Sequence, residues 1–291
     1  MTDTLLIGER MYSSWSLRAW LLFDQFDIPV DVALAPMKTE AFATALAAFP
    51  PARLVPTVRL GGKVVWESLA IAETLAERYP DRGLWPRAPD DRAVARAMSA
   101  EMHAGFTALR QACPMNLRTA FSNYAPDPAV SADLQRIEAL WSLPGPRAAG
   151  PWLFGGYTIA DAMFAPVAAR IAGYRLPVGG RAEAYVAAHL GHDSFRRWRA
   201  MAFAGDRPMA LYEDIGLDRA PWPGPAVMPA EAVAEGRAEN AACPFSGRPV
   251  APDSLALFGD RLLGFCNPFC RDKAVADPGA WPALVTLLDQ N

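Results

Sequence analysis

The stretch TVRLGGKVVWESLAIAETLAERY, Thr57 to Tyr79, holds two short apolar runs around Gly61-Gly62 and then changes period. Thr57 to Leu60 and Val64 to Trp66 are rich in β-formers, and a Gly-Gly pair between them supplies the positive φ angles of a tight hairpin turn. From Ser68 the apolar residues fall at helical spacing, so a helix over Ser68 to Tyr79 closes the segment. Upstream, Glu40 to Phe49 predicts a helix that Pro50-Pro51 stops, and Val30 to Ala35 alternates as a strand does. Ser16 to Phe26 carries a helical stripe ending near Ile28-Pro29, and Thr4 to Gly8 is a short apolar strand. The order βαβ, α, ββ, α predicts a thioredoxin-like α/β domain over residues 1–80.

Downstream, Pro80 to Pro89 is dense in turn residues and reads as a linker. The next signals are helical: Asp90 to Gln111, Ser131 to Trp141, Thr158 to Ala172, Arg181 to Leu190 and Ser194 to Phe203. They predict an all-α domain over 90–215. A Pro-rich stretch, Ala220 to Pro229, then sets off a small cysteine-containing extension over 240–291. The fold class expected is α/β followed by all-α, with that extension appended.

The chain has 291 residues, 52% of them apolar, and a formal net charge of −3 with the signs interspersed. Such a chain fills real cores but offers no broad cationic face for nucleic acid or anionic lipid. The N-terminus has an early acid and no basic run, so neither a signal peptide nor a membrane span is expected. Cys113, Cys243, Cys266 and Cys270 make a poor disulfide scaffold, and reduced thiols in the cytoplasm fit better.

Three motifs carry chemistry. The first is Tyr12-Ser13-Ser14-Trp15-Ser16-Leu17-Arg18, between the first strand and first helix. A hydroxyl at a helix start ordinarily caps it. The same place favours a bound anion, and a hydroxyl donated to a sulfur lowers that thiol's pKa. One of the two serines can cap while the other faces ligand. The second motif, Leu54-Val55-Pro56-Thr57, suits a cis-proline that leaves the Val55 backbone free for a peptide-like ligand. The third, Trp66-Glu67-Ser68-Leu69, opens a helix where a serine and backbone amides receive a carboxylate and Glu67 pairs with an ammonium, or where the pair simply caps.

In this spacing SSWSLR, LVPTV and ESLAIAETLAERYP resemble the N-terminal domain of the glutathione transferases, particularly the serine-type, zeta-like group with its SSC opening. The resemblance runs over about residues 1–205. It implies Ser13 as the thiolate partner with Ser14 beside it, and Val55 against the cysteinyl backbone of glutathione. Pro56 is then the cis-proline, Glu67 and Ser68 hold the γ-glutamyl end, and Arg53 lies near the glycine carboxylate. Trp15 stands where the zeta-like pattern has cysteine, which leaves the reaction class open. With no cysteine from Ser13 to Ser16, the reactive sulfur must come from glutathione as co-substrate. Met102 and Phe106, four apart on the helix from Asp90, are candidates for the acceptor-pocket wall, although such a stripe is more often core.

In the tail, Cys243-Pro244-Phe245-Ser246-Gly247 and Phe265-Cys266-Asn267-Pro268-Phe269-Cys270 resemble the small YHS/TRASH group of metal modules. That resemblance implies Cys243, Cys266 and Cys270 as metal ligands, with zinc as a suitable ion. The expectation is a homodimeric glutathione transferase attacking an apolar electrophile or peroxide. Its rival is a non-catalytic glutathione-binding or assembly module with a metal-binding tail.

Overall fold

The computed structural model describes residues 3–144 and 150–289. The opening is a four-stranded sheet in the order β2-β1-β3-β4. Its elements are β1 (Thr4–Ile7), α1 (Ser14–Gln25), β2 (Asp31–Leu34), α2 (Glu40–Ala47), β3 (Thr57–Leu60), β4 (Lys63–Trp66) and α3 (Ser68–Arg78). β1 runs parallel to β2 and antiparallel to β3, and β3 pairs with β4 through Leu60 and Lys63. Gly61 and Gly62 take φ of +55° and +83°, the left-handed values a two-residue turn needs and side chains disfavour. This is the thioredoxin-like order expected.

Helices follow: α4 (Pro89–Ala104), α5 (Thr107–Ala112), α6 (Pro128–Ser142), α7 (Ile159–Gly173), α8 (Gly180–Gly191), α9 (Asp193–Gly205) and α10 (Ala210–Glu213). Where one helix was expected from Asp90 to Gln111, two form. Gly105 brings its backbone against the Glu101 carbonyl, where a Cβ would lie 2.8 Å from that oxygen, and Phe106 then takes φ +56°. The chain therefore turns before α5. A short pair, β5 (Ala120–Phe121) with β6 (Arg219–Ala220), was not legible in the sequence.

Contacts divide the chain into two compact units: the residues up to Leu190 together with Met209–Pro223, and Gly191–Pro208 together with everything from Gly224 on. In the first, α7 is buried all round and packs on α1 and α4, as a helix without a polar face must. Its start is fixed by Asp161, which accepts from Thr158 N at 2.8 Å, Leu153 N at 3.1 Å and Tyr185 OH at 2.8 Å. In the second unit α9 packs on α11 (Pro268–Ala276). A sheet of β7 (Ala230–Val233), β8 (Leu255–Phe258) and β9 (Arg261–Gly264) and the terminal α12 (Pro282–Leu288) complete it. Its core gathers Phe258, Leu263, Phe265, Trp281 and Leu284. Among the described residues no helix is long and apolar enough to cross a membrane.

Candidate active site

Ser13 caps α1. Its Oγ accepts from Ser16 N at 3.4 Å and donates to Ser16 Oγ at 2.7 Å, and Ser16 Oγ also accepts from Gly8 N at 3.1 Å. The Ser13 hydroxyl is thus engaged within the turn. Ser14, half-buried at the first position of α1, instead accepts from Arg170 Nη2 at 3.5 Å, and its own proton has no acceptor among the described residues. Both serines line a cleft of about 1110 Å³.

A second hollow of about 140 Å³ shares Trp15, Leu54 and Val55 with that cleft and adds Pro56, Trp66, Glu67 and Ser68. The Val55–Pro56 peptide is cis. The Val55 backbone takes no partner among the described residues. Ser68 is 2% exposed, yet its Oγ has no hydrogen-bond partner among the described residues. A buried hydroxyl left unmade costs about 1–3 kcal/mol, which marks it for a ligand group that the protein itself does not supply. Glu67 holds φ +67°, a strained value for a side-chain-bearing residue, and its exposed carboxylate lies 3.6 Å from His103 Nε2. Burial lowers the His103 pKa, with Arg18 and Arg110 adding to the effect and Glu67 opposing it, so the ring is neutral near pH 7. Arg53 is exposed and lines neither hollow.

Opposite the serines the cleft wall comes from α5, the turn after it and α7, through Thr107, Arg110, Pro114, Met115 and Arg170. Arg170 is anchored by Nε to the Cys113 carbonyl at 2.8 Å and by Nη1 to the Pro166 carbonyl at 3.1 Å. Burial, then the Arg110 charge, pulls its pKa down to about 10, so it stays cationic. Arg18 is buried too, and its guanidinium and that of Arg110 lie 4.4 and 4.8 Å from the Trp15 ring centre. No described carboxylate pairs with Arg18, Arg110 or Arg170. Arg110 and Arg170, which line the cleft with Lys38 and Glu40, thus bring to it two guanidinium groups that no carboxylate among the described residues pairs.

Two residues expected in the wall are not among those lining this cleft. Met102 is fully buried, its sulfur facing Arg18 Nη2 at 2.8 Å, and Phe106 is 6% exposed; neither lines the cleft. The break at Gly105 is the reason, since it turns the cleft-facing positions over to α5. Glu101 is engaged by Arg136 at 2.6 and 2.8 Å. Arg110, Arg170 and Tyr212 escaped the sequence reading. Arg170 had a signal: it is the one basic residue in IADAMFAPVAARIAG, where a charge must find a polar purpose.

In the second unit the Sγ atoms of Cys243, Cys266 and Cys270 all lie within 4.8 Å of one another, with Cys266 and Cys270 3.8 Å apart. Asn267 caps α11 by accepting from Cys270 N at 2.8 Å, which holds Cys270 in the helix's first turn. Ser246 Oγ donates to Cys266 Sγ at 3.1 Å.

Residues 12–78 match the family of the glutathione S-transferase N-terminal domain. The chain is 36% identical over 100 residues to a probable maleylacetoacetate isomerase of Caenorhabditis elegans, covering 34% of this chain and 46% of that one. It is 40% identical over 48 residues to the maleylacetoacetate isomerase of Dictyostelium discoideum, covering 16% and 22%. It thus spans less than half the length of these curated relatives. A crystal structure of a glutathione transferase homolog from Burkholderia GL BGR1 with bound glutathione superposes with TM-score 0.55 at 21% identity, over 69% of this chain and 98% of that one. A holo maleyl pyruvate isomerase, described as a bacterial zeta-class glutathione S-transferase, gives 0.52 at 25% identity over 67% and 95%. The fold is that of the glutathione transferases. The family itself is matched over residues 12–78, the N-terminal domain.

Proposed function

We propose that the first unit binds glutathione in the hollow beside Pro56 and adds its thiolate to an electrophile with an apolar body and an anionic end. One observation carries the reading: the uncommitted Ser14 hydroxyl shares a cleft with two carboxylate-free guanidinium groups, Arg110 and Arg170. The Val55 backbone would pair with the cysteinyl backbone, and Ser68 and Glu67 would take the γ-glutamyl carboxylate and ammonium. Glutathione supplies the sulfur nucleophile. Ser14 donates to that sulfur and favours its anionic form, while Arg170 polarises Ser14. Arg110 and Arg170 hold a carboxylate of the acceptor and offset the negative charge that develops when its double bond is attacked. In this reading Ser14 is the donor and Ser13, the thiolate partner implied by family position, serves chiefly as the cap.

The names of the relatives make a maleyl-type unsaturated keto acid the first acceptor to try. Attack at the double bond leaves a single bond free to rotate, and loss of the same sulfur returns the trans acid. The test is turnover of maleylpyruvate with and without glutathione. No glutathione-dependent change, with no conjugation of a generic aryl halide either, would favour the rival, a non-catalytic binding module.

We further propose the division of labour as glutathione on residues 1–80, acceptor on 90–215 and metal on 240–291, in a cytoplasmic homodimer. The donor set of the tail fits a soft divalent ion: two thiolates sharing zinc at about 2.3 Å stand roughly 3.8 Å apart in tetrahedral geometry. Cys243, Cys266 and Cys270 would hold the ion, with the fourth position left to Ser246 or solvent. Zinc titration of the reduced protein should show one equivalent bound and a raised thermal midpoint, both lost in Cys266→Ser. Absence of stoichiometric uptake would remove the metal.

A further inference from the structure

Tyr212 belongs to none of the sequence motifs. It lies in Met209–Pro223, the stretch assigned to the first unit although it follows α9 in the chain. That stretch is tied down along its length. Asn116 Nδ2 donates to the Tyr212 carbonyl at 3.1 Å, and β6 pairs with β5. Glu213, 8% exposed, accepts from Tyr12 OH at 2.5 Å and from Arg118 Nε at 3.2 Å, and pairs with Arg219 at 3.0 Å.

The Tyr212 ring lies flat on the Tyr12 ring, with centres 4.7 Å apart and planes at 17°, and both rings line the cleft. Their hydroxyls differ. Tyr12 OH is committed to Glu213 and also accepts from Met209 N at 3.2 Å, whereas Tyr212 OH has no partner among the described residues. Burial raises the Tyr212 pKa against the lowering pull of Arg170, so the phenol keeps its proton and can donate. The ring is thus fixed by the stack, and its hydroxyl is left for what enters the cleft.

We propose that Tyr212 is a specificity-determining residue of the acceptor site, donating its phenolic proton to an anionic oxygen of the electrophile that Arg110 and Arg170 hold. This rests on the glutathione-addition reading above. It adds a third donor, from a different part of the chain, to the two guanidinium groups.

The test compares two stable ligands by calorimetry: S-methylglutathione, which reports the glutathione hollow alone, and S-(1,2-dicarboxyethyl)glutathione, which carries two carboxylates into the cleft. Tyr212→Phe keeps the ring and its stack. It should bind the dicarboxyethyl conjugate about tenfold more weakly, the loss of one hydrogen bond to a charged group, and S-methylglutathione as the unaltered protein does. Unchanged affinity for the dicarboxyethyl conjugate, or an equal loss on both ligands, would overturn the assignment of Tyr212. An unaltered protein that binds neither ligand would instead overturn the glutathione reading, and this inference with it.

Discussion

Arg170 Nη2 lies 3.5 Å from Ser14 Oγ, across 156 residues of sequence, and its two other hydrogen bonds go to backbone carbonyls rather than to an acid. A buried guanidinium without a counter-ion is costly unless something anionic arrives to meet it. The relationship separates the roles of the two neighbouring serines. Ser14→Ala should lower turnover about a hundredfold, in the range of losing one donor to a developing anion, and raise the pKa of bound glutathione measured by thiolate absorbance. Ser13→Ala should retain most turnover and lose about 1 kcal/mol of stability, as capping residues do.

Ser68 gives a prediction of opposite sign for the two states. Its buried Oγ has no partner among the described residues. Ser68→Ala should therefore leave the free protein at least as stable, while the rise in thermal midpoint on adding glutathione shrinks. A parallel fall in both would mean that Ser68 is structural.

Arg110 tests the anionic end of the acceptor. It is half-buried, and among the described residues its side chain donates one hydrogen bond, to the Gly105 carbonyl at 3.2 Å. Arg110→Gln should fold normally and lose about tenfold to a hundredfold in kcat/KM for a carboxylate-bearing acceptor, with glutathione affinity kept. Equal activity on charged and neutral acceptors would remove its role.

His103 sets a pH dependence. Its folded pKa is depressed, chiefly by burial, so below the unfolded value of about 6.5 the unfolded chain binds more protons than the folded one. The stability it contributes is present above that pH and is lost as pH falls through the folded pKa. Denaturant midpoints should drop on acidification below about 6.5, and the drop should be shallower in His103→Asn. An identical slope in both proteins would exclude His103 as the source.

Local signals were enough for the first domain. The Gly61-Gly62 turn, the Pro50-Pro51 stop and the change of period at Ser68 are short-range events, and they fix the order of elements and the positions of the three N-terminal motifs. What escaped was long-range. Ser13 and Ser14 are indistinguishable in sequence; they differ only because Ser16 takes one hydroxyl and Arg170 reaches the other. Met102 and Phe106 satisfied the helical stripe but sit behind the wall, because Gly105 breaks the helix through a contact with Glu101 that spacing does not reveal. The comparisons with known proteins support the fold, and the family over residues 12–78, without reaching individual side chains.

Trp15 leaves the cleft without a thiol of its own. The nearest cysteine in sequence, Cys113, is fully buried, with its pKa pushed up to about 11 by that burial. A cysteine at position 15 would itself be a target for every reactive molecule the pocket admits, and each encounter would risk a permanently modified protein. An indole held against two guanidinium groups removes that target. The cleft is thereby left without a nucleophile of its own, and iodoacetamide should not label it, whereas Trp15→Cys should be labelled there.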